Sequence, residues 1–399
     1  MLNKFGILVF LCVYAVLFSQ NKRIPIFAFH GIPPGEYSTK ENFLTMKNAG
    51  IDICYTLFNT NEEVLHALDA AQEAGTKLVI RVQSLFSDTE NSVNLFKNHP
   101  ALYGYCIADE PSPSQFDELI EIVKKIKRFD SEHVIYINLF PNYVSREVIN
   151  GYNYQDYLNA FLQRIPVDFL SFDHYPIINN NVRGDWYSNL ETVRNVSLKH
   201  KINFWAFACS TIHYSYLQPT VAGIKLQQFS NLLYGAQGLQ YFAYWTLTYE
   251  YNWVKEKYGY SIVDGRGNPT PTYNVIKTVN QQIQRLAWVF SGAKSNSVFH
   301  MGDDIPKGTI ELKAIPKQFL SFTINNNSNA LVSFMSNHDK KFIIIQNKSL
   351  GENLTLSYKL KLPLNKVNNN TGKILSLVRS KKYTNVILPG DILIFTYDK

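Results

Sequence analysis

Between residues 24 and 247 the sequence carries eight nearly continuous apolar runs, each followed by a stretch patterned as a helix. The runs are 24-IPIFAFHGIP-33, 51-IDICYTLF-58, 77-KLVIRVQS-84, 101-ALYGYCIADEP-111, 133-HVIYINLFP-141, 167-VDFLSFDHYP-176, 202-INFWAFACST-211 and 238-GLQYFAYWTL-247. Runs without polar alternation suit parallel strands buried on both faces. Between them apolar residues recur at helical spacing. Val64, Leu65, Leu68 and Ala71 follow a Thr60 cap with Glu63 three residues on. Phe116, Leu119, Ile120, Val123 and Ile126 share one face, as do Tyr273, Val275, Ile276, Val279, Ile283 and Leu286. Eight strand–helix units in order predict an α/β fold, a (β/α)8 TIM barrel over residues 21–290.

The pattern changes near Ser291. Short alternating runs follow: 318-QFLSFTI-324, 330-ALVSFMS-336, 341-KFIIIQN-347, 354-LTLSYKL-360, 373-KILSLV-378, 385-NVILPG-390 and 391-DILIFTY-397. Asn326, Asn327 and Asn329 mark one turn, and Asn368, Asn369 and Asn370 another. This predicts an antiparallel β-sandwich over residues 291–399. Asn347, Asn353 and Asn369 each open an Asn-X-Ser/Thr triplet, which matters only in a host that glycosylates it. Residues 1–20 read as a signal peptide: Lys4 supplies the positive start, and Phe5 to Phe18 an apolar stretch too short to span a bilayer comfortably. The chain is therefore expected to be secreted or periplasmic, without a membrane span after cleavage; a retained N-terminal anchor is the competing reading.

Composition narrows the function classes. Apolar residues are 46% and charged residues 18%, which excludes a disordered chain. A net charge of +7 over 399 residues is mild and gives no reason to expect nucleic acid as partner. The aromatic share of 14% suits sugar stacking and an aromatic core equally. Cys54, Cys106 and Cys209 sit inside apolar runs at unpaired spacing and read as buried small hydrophobes. The sequence has no Walker loop, dinucleotide-binding glycine fingerprint, Gly-x-Ser-x-Gly elbow or clustered Cys/His site, so neither cofactor nor metal is expected. His30, His174 and His213 come from three different strand ends and lack the spacing of a zinc set.

In a TIM barrel the active site lies at the C-terminal ends of the strands. Polar residues cluster there: His30, Arg81, Asp109 with Glu110, Asn138, Asp173 with His174 and Tyr175, Ser210 with His213, then Trp245 and Glu250. The sharpest word is 104-GYCIADEPS-112, where two carboxylates close an apolar strand. Glycosidic cleavage needs a carboxyl of raised pKa to protonate the leaving oxygen, and apolar walls with a second carboxylate raise one. The bland reading has Asp109 capping the next helix and Glu110 paired with Arg81.

This word resembles the Asn-Glu-Pro signature of glycoside hydrolase clan A, a group of TIM-barrel enzymes. The resemblance implies Glu110 as general acid/base, with Asp109 where the clan has the Asn that holds the sugar 2-hydroxyl. The opening 24-IPIFAFHGIPPGEYSTKENFLTMKNAGID-52 resembles the first unit of clan members related to the β-galactosidase-like group. The stretches 204-FWAFACS-210, 235-GAQGLQYFAYWT-246 and 262-IVDGRGNPTPTYNVIKTVNQQI-283 resemble the last two strands, closing loop and final helix of secreted bacterial members. The similarity covers residues 24–290.

One departure stands out. The clan's nucleophilic Glu at the end of the seventh strand has no counterpart in Trp205–Ser210. Asp173 or Glu250 can serve as second carboxylate, or Asp109 can orient a 2-acetamido group that acts as the substrate's own nucleophile. The function expected is hydrolysis of O-glycosidic bonds in an oligo- or polysaccharide. The rival is a glycan-binding barrel that has lost catalysis. His30, Arg81, Asn138, His174, Tyr175, Ser210, His213 and Trp245 are the expected sugar contacts, and Trp205 leans toward the core.

Overall fold

The computed structural model describes residues 22–248, 251–256 and 258–398. The leader read over residues 1–20 and the candidate Glu250 lie outside them. Eight parallel strands close a barrel: β1 (Ile26–Phe29), β2 (Ile53–Phe58), β3 (Lys77–Val82), β4 (Leu102–Asp109), β5 (Val134–Leu139), β6 (Phe169–Phe172), β7 (Asn203–Cys209) and β8 (Gly238–Phe242). Their order is β1-β8-β7-β6-β5-β4-β3-β2, so each strand neighbours the next in sequence and β8 returns to β1.

The local chemistry explains the elements. The helix Asn61–Ala74 begins where the Thr60 hydroxyl accepts the Glu63 N–H at 3.2 Å, and it ends at Gly75, whose φ of 69° costs a glycine little. Phe27, Phe29, Tyr55, Tyr136, Trp205 and Phe207 turn inward and fill the barrel. Trp205 stacks on Phe169 at 4.2 Å, which confirms it as core. Gly238 faces the indole, and a Cβ there would lie 2.2 Å from it. Cys54, Cys106 and Cys209 are buried free thiols.

Between β6 and the helix Trp186–His200 the chain inserts a short hairpin, Ile177–Ile178 with Asn181–Val182, that no sequence pattern announced. It delivers Arg183 and Asp185 to the top of the barrel.

The C-terminal region is antiparallel. Its strands are β9 (Lys294–Met301), β10 (Phe319–Ile324), β11 (Ala330–Asn337), β12 (Lys340–Asn347), β13 (Leu354–Leu360), β14 (Asn365–Val367), β15 (Ile374–Ser376), β16 (Lys382–Ile387) and β17 (Ile392–Asp398). They form a six-stranded sheet, β9-β11-β12-β17-β14-β15, and a three-stranded sheet, β10-β13-β16. β9 and β14 are additions to the strands read from sequence.

One face of the larger sheet covers the barrel helix Val221–Tyr234. Leu331, Met335, Phe342, Ile344 and Ile394 belong to the same continuous core as the barrel, while the opposite face shares a second core with the smaller sheet. Polar contacts stitch the junction: Ser230 donates to Gln346 at 2.7 Å, Lys225 pairs with Asp391 at 2.6 Å, and Gln282 donates to Asp391 at 2.9 Å. Asn347 Nδ2 donates to the Glu352 and Ile387 carbonyls at 2.7 and 3.0 Å, and Asn369 Nδ2 to the Ile392 carbonyl. Among the described residues no helix is long and apolar enough to cross a membrane.

Candidate active site

β4, β5 and β6 bring Asp109, Glu110, Asn138 and Asp173 together at the C-terminal end of the barrel. A polar ladder below fixes them. Gln240 Nε2 donates to Ser171 Oγ at 2.9 Å, and Ser171 Oγ donates to Asn138 Oδ1 at 2.9 Å. The Asn138 carbonyl is thus occupied, and its amide nitrogen must face upward. There it donates to Asp109 Oδ1 at 3.1 Å and to Asp173 Oδ1 at 2.9 Å. Tyr136 anchors the ladder by donating to Gln240 Oε1 at 2.8 Å.

Glu110 leaves the strand with φ 48°, a left-handed conformation, and its N–H donates to the Asn138 carbonyl at 2.8 Å. A non-glycine residue held there stores roughly 1–3 kcal/mol of strain, which tends to occur where a side chain must be aimed. The turn points the carboxyl toward Asp173, whose charge bears on it.

Burial, then the charges of Asp173 and Asp109, push the Glu110 carboxyl far above the ordinary carboxylate range. Asp173 is also raised, by burial first and by Asp109 next, with Asn138 and Tyr175 opposing. Burial raises Asp109 as well, against its Asn138 bond and the Arg81 charge. Asp109, Glu110 and Asp173 keep solvent access although protein surrounds them, as groups in a concave mouth do. The cluster can store a proton on Glu110 at neutral pH and deliver it to a bound oxygen.

The other expected residues divide. Tyr175 packs on Phe242 at 5.5 Å, close enough to Asp173 to oppose the rise of its carboxyl. His30 also takes a left-handed φ, 45°, lies 5.6 Å from the Phe242 ring, and is lowered to about 4 by burial, so it is neutral. Arg81 does not pair with Glu110. Its guanidinium donates to the Ile107 carbonyl at 2.8 Å and lies over Phe86, where it bears on Asp109.

Four expected sugar contacts need correction. Ser210 is fully buried and its hydroxyl is spent on the Ala243 carbonyl at 3.1 Å. Trp245 lies beyond the end of β8, buried against Tyr37 at 5.1 Å. His213 is sandwiched between Tyr216 at 4.4 Å and Tyr258 at 4.8 Å. His174 is buried 3.3 Å from Asp185, and Tyr143 covers it at 5.0 Å.

Residues that the sequence did not single out complete the mouth. Tyr143, in the loop after β5, bears on both Asp173 and Glu110. Arg183 lies 3.9 Å over its ring and pairs with Asp185 through Nε–Oδ1 at 3.1 Å and Nη2–Oδ2 at 2.9 Å. A cavity of about 740 Å³ lies elsewhere, between the Val182–Ser188 segment and the C-terminal loops. Perturbed carboxyls gathered in the barrel mouth, more than cavity size, make the candidate site.

The sequence matches no family model and no curated protein. Among solved structures the chain is similar to the endo-beta-1,4-mannanase from Thermotoga petrophila, at 11% identity and TM-score 0.47, over 84% of this chain and 96% of that one. It is also similar to an endo-1,4-beta-mannanase from Rhizomucor miehei, at 13% identity and TM-score 0.42, over 64% and 95%. A third is the endo-alpha-mannosidase from Bacteroides thetaiotaomicron, at 13% identity and TM-score 0.41, over 63% and 78%. Likeness at this distance says nothing of the reaction.

Proposed function

We propose that this chain is a glycoside hydrolase whose general acid is Glu110. The observation that carries the reading is the gathering of Asp109, Glu110 and Asp173 in the barrel mouth, two of them held by a fixed Asn138. Glu110 gives its proton to the glycosidic oxygen as the bond from that oxygen to the anomeric carbon breaks. Asp173 keeps the proton on Glu110 until then. Water ends on the sugar, and its remaining proton returns to Glu110. A glycan binder without catalysis gains nothing from a stored proton.

The missing carboxylate on the seventh strand favours one route. Two-carboxylate glycosidases hold their groups about 5–5.5 Å apart when retaining and about 6.5–9.5 Å apart when inverting. Trp205–Ser210, at the end of β7, carries no carboxylate to stand across the sugar from Glu110. A 2-acetamido oxygen attacking the anomeric carbon, with its N–H held by the solvent-facing Asp109, needs no second carboxylate across the sugar. We further infer action outside the cell, a reading that rests on residues 1–20 alone.

Hydrolysis of a panel of aryl glycosides that includes N-acetylhexosaminides and uronides, by the wild type and Glu110→Gln, tests the assignment. Cleavage of one glycoside with most of the rate lost in the variant supports it. Cleavage of N-acetylhexosaminides alone supports the acetamido route. Glycan binding without cleavage of any aryl or natural glycan returns the chain to the binding class.

A further inference from the structure

The cleft of about 740 Å³ is formed by two parts of the chain that meet only in the folded state. The Val182–Ser188 segment of the barrel supplies one wall. Loops of the C-terminal sheets supply the other: Asp304 to Gly308, the Asn327–Asn329 turn, and Asn347 to Ser349 with Glu352. Its size is within the range of about 300–1,000 Å³ common to small-molecule sites.

The walls are braced from within. Asn329 Oδ1 accepts the Asp304 N–H at 2.8 Å, and Ser349 Oγ accepts the Glu352 N–H at 2.9 Å. Such bracing lowers the ordering cost of binding. Lys348 is nine-tenths buried in the lining, 5.1 Å over the Tyr187 ring. Its ammonium donates to the Asp304 carbonyl at 3.1 Å, and a Lys ammonium carries three N–H groups. Around it, the side chains of Lys307, Asp304, Asn327 and Glu352 are exposed. The lining therefore carries donors and acceptors of both signs, and the Arg183–Asp185 pair is already neutralised. A simple anion or cation meets repulsion from half of such a lining. A ligand whose every group both donates and accepts fits it, and a row of sugar hydroxyls is that ligand.

Arg183 joins the cleft to the mouth. It lines the cleft and stacks on Tyr143, the ring that bears on Asp173 and Glu110. We propose that the cleft binds the continuation of a carbohydrate chain whose reacting residue lies at Glu110, so the enzyme acts on chains and not on single terminal sugars. This rests on the hydrolase reading for the reacting end, while the cleft's own binding can be measured apart from it.

The test is calorimetric binding of chito-, cello- and manno-oligosaccharides of two and six units to Glu110→Gln protein, alone and with Ser328→Trp. The indole fills the cleft. A hexamer of one series is expected to bind at least tenfold more tightly than its dimer, and Ser328→Trp removes that gain while dimer affinity holds. The exposed pair Lys307→Ala/Glu352→Ala, which leaves the core untouched, is expected to weaken the hexamer several-fold. Lys359→Trp on the far sheet serves as control. Hexamer affinity that survives both cleft variants overturns the proposal, as does a panel in which no hexamer outbinds its dimer. If hexamer binding is lost with the cleft but the wild type cleaves nothing, the cleft stands and the hydrolase reading falls. If the wild type cleaves and the cleft variants bind unchanged, the cleft falls alone.

Discussion

Asn138 determines which carboxyl of the cluster carries a proton. Its amide nitrogen donates to Asp109 and Asp173 at once and favours their charged forms against the burial that raises both, while burial and those two charges raise Glu110. Asp173→Asn removes the charge that raises Glu110. The acid then ionises at lower pH, and the alkaline limb of the pH profile of kcat/KM moves toward acid; a limb that stays in place rules out Asp173 as the perturbing charge. Glu110→Gln is expected to lower kcat/KM on unactivated substrates by about 10²–10⁴-fold. The same change acts oppositely on stability. A carboxyl whose pKa is raised by folding favours the native state at low pH and loses that contribution as pH rises through the folded value. Glutamine cannot ionise, so the variant is expected to melt about 1–3 °C above wild type at pH 8 and level with it at pH 4, measured by thermal denaturation. Asp109-Glu110 and Asp173 were legible because a carboxylate ending a buried strand has no cheap structural purpose. Their convergence was not, because spacing along the chain says nothing about the left-handed turn that swings Glu110 toward β6.

At the scale of elements, the barrel was readable because strands buried on both faces leave unbroken apolar runs. The same rule misled at strand ends. Trp245 and Ser210 sit where a sugar contact belongs in the linear pattern, yet one tucks under Tyr37 and the other bonds Ala243, since position along a strand does not fix which way a side chain turns. Tyr143, Arg183 and Asp185 were invisible because they lie in long connections without periodicity. β9 was passed over because its run, KSNSVFHM, is too polar to announce a strand, though its buried and exposed positions nearly alternate. Two expectations belong here. Ser171→Ala removes the donor that orients the Asn138 amide, and is expected to lower kcat by several-fold at nearly constant KM; a change confined to KM contradicts the ladder. Gly238→Ala puts a methyl into the Trp205 ring, and is expected to cost about 1–3 kcal/mol in denaturant unfolding, the range for overpacked cores.

For the whole molecule, the barrel and the C-terminal sheets share a core that crosses residue 290 without interruption. A chain ending at residue 290 would expose the apolar face around Leu226, Phe229 and Leu233, and is expected to be insoluble or to bind hydrophobic dyes. The intact protein is expected to unfold in one calorimetric transition; two separated transitions would show the halves to be independent. The inward amides of Asn347 and Asn369 have a practical consequence. Each opens a triplet that a eukaryotic secretory pathway decorates during synthesis, before folding can hide it. Each amide nitrogen is also committed to carbonyls inside the sheet. A glycan attached there would sit where those carbonyls need a partner, so secretion through a host that glycosylates these sites is expected to yield less folded protein than expression without glycosylation.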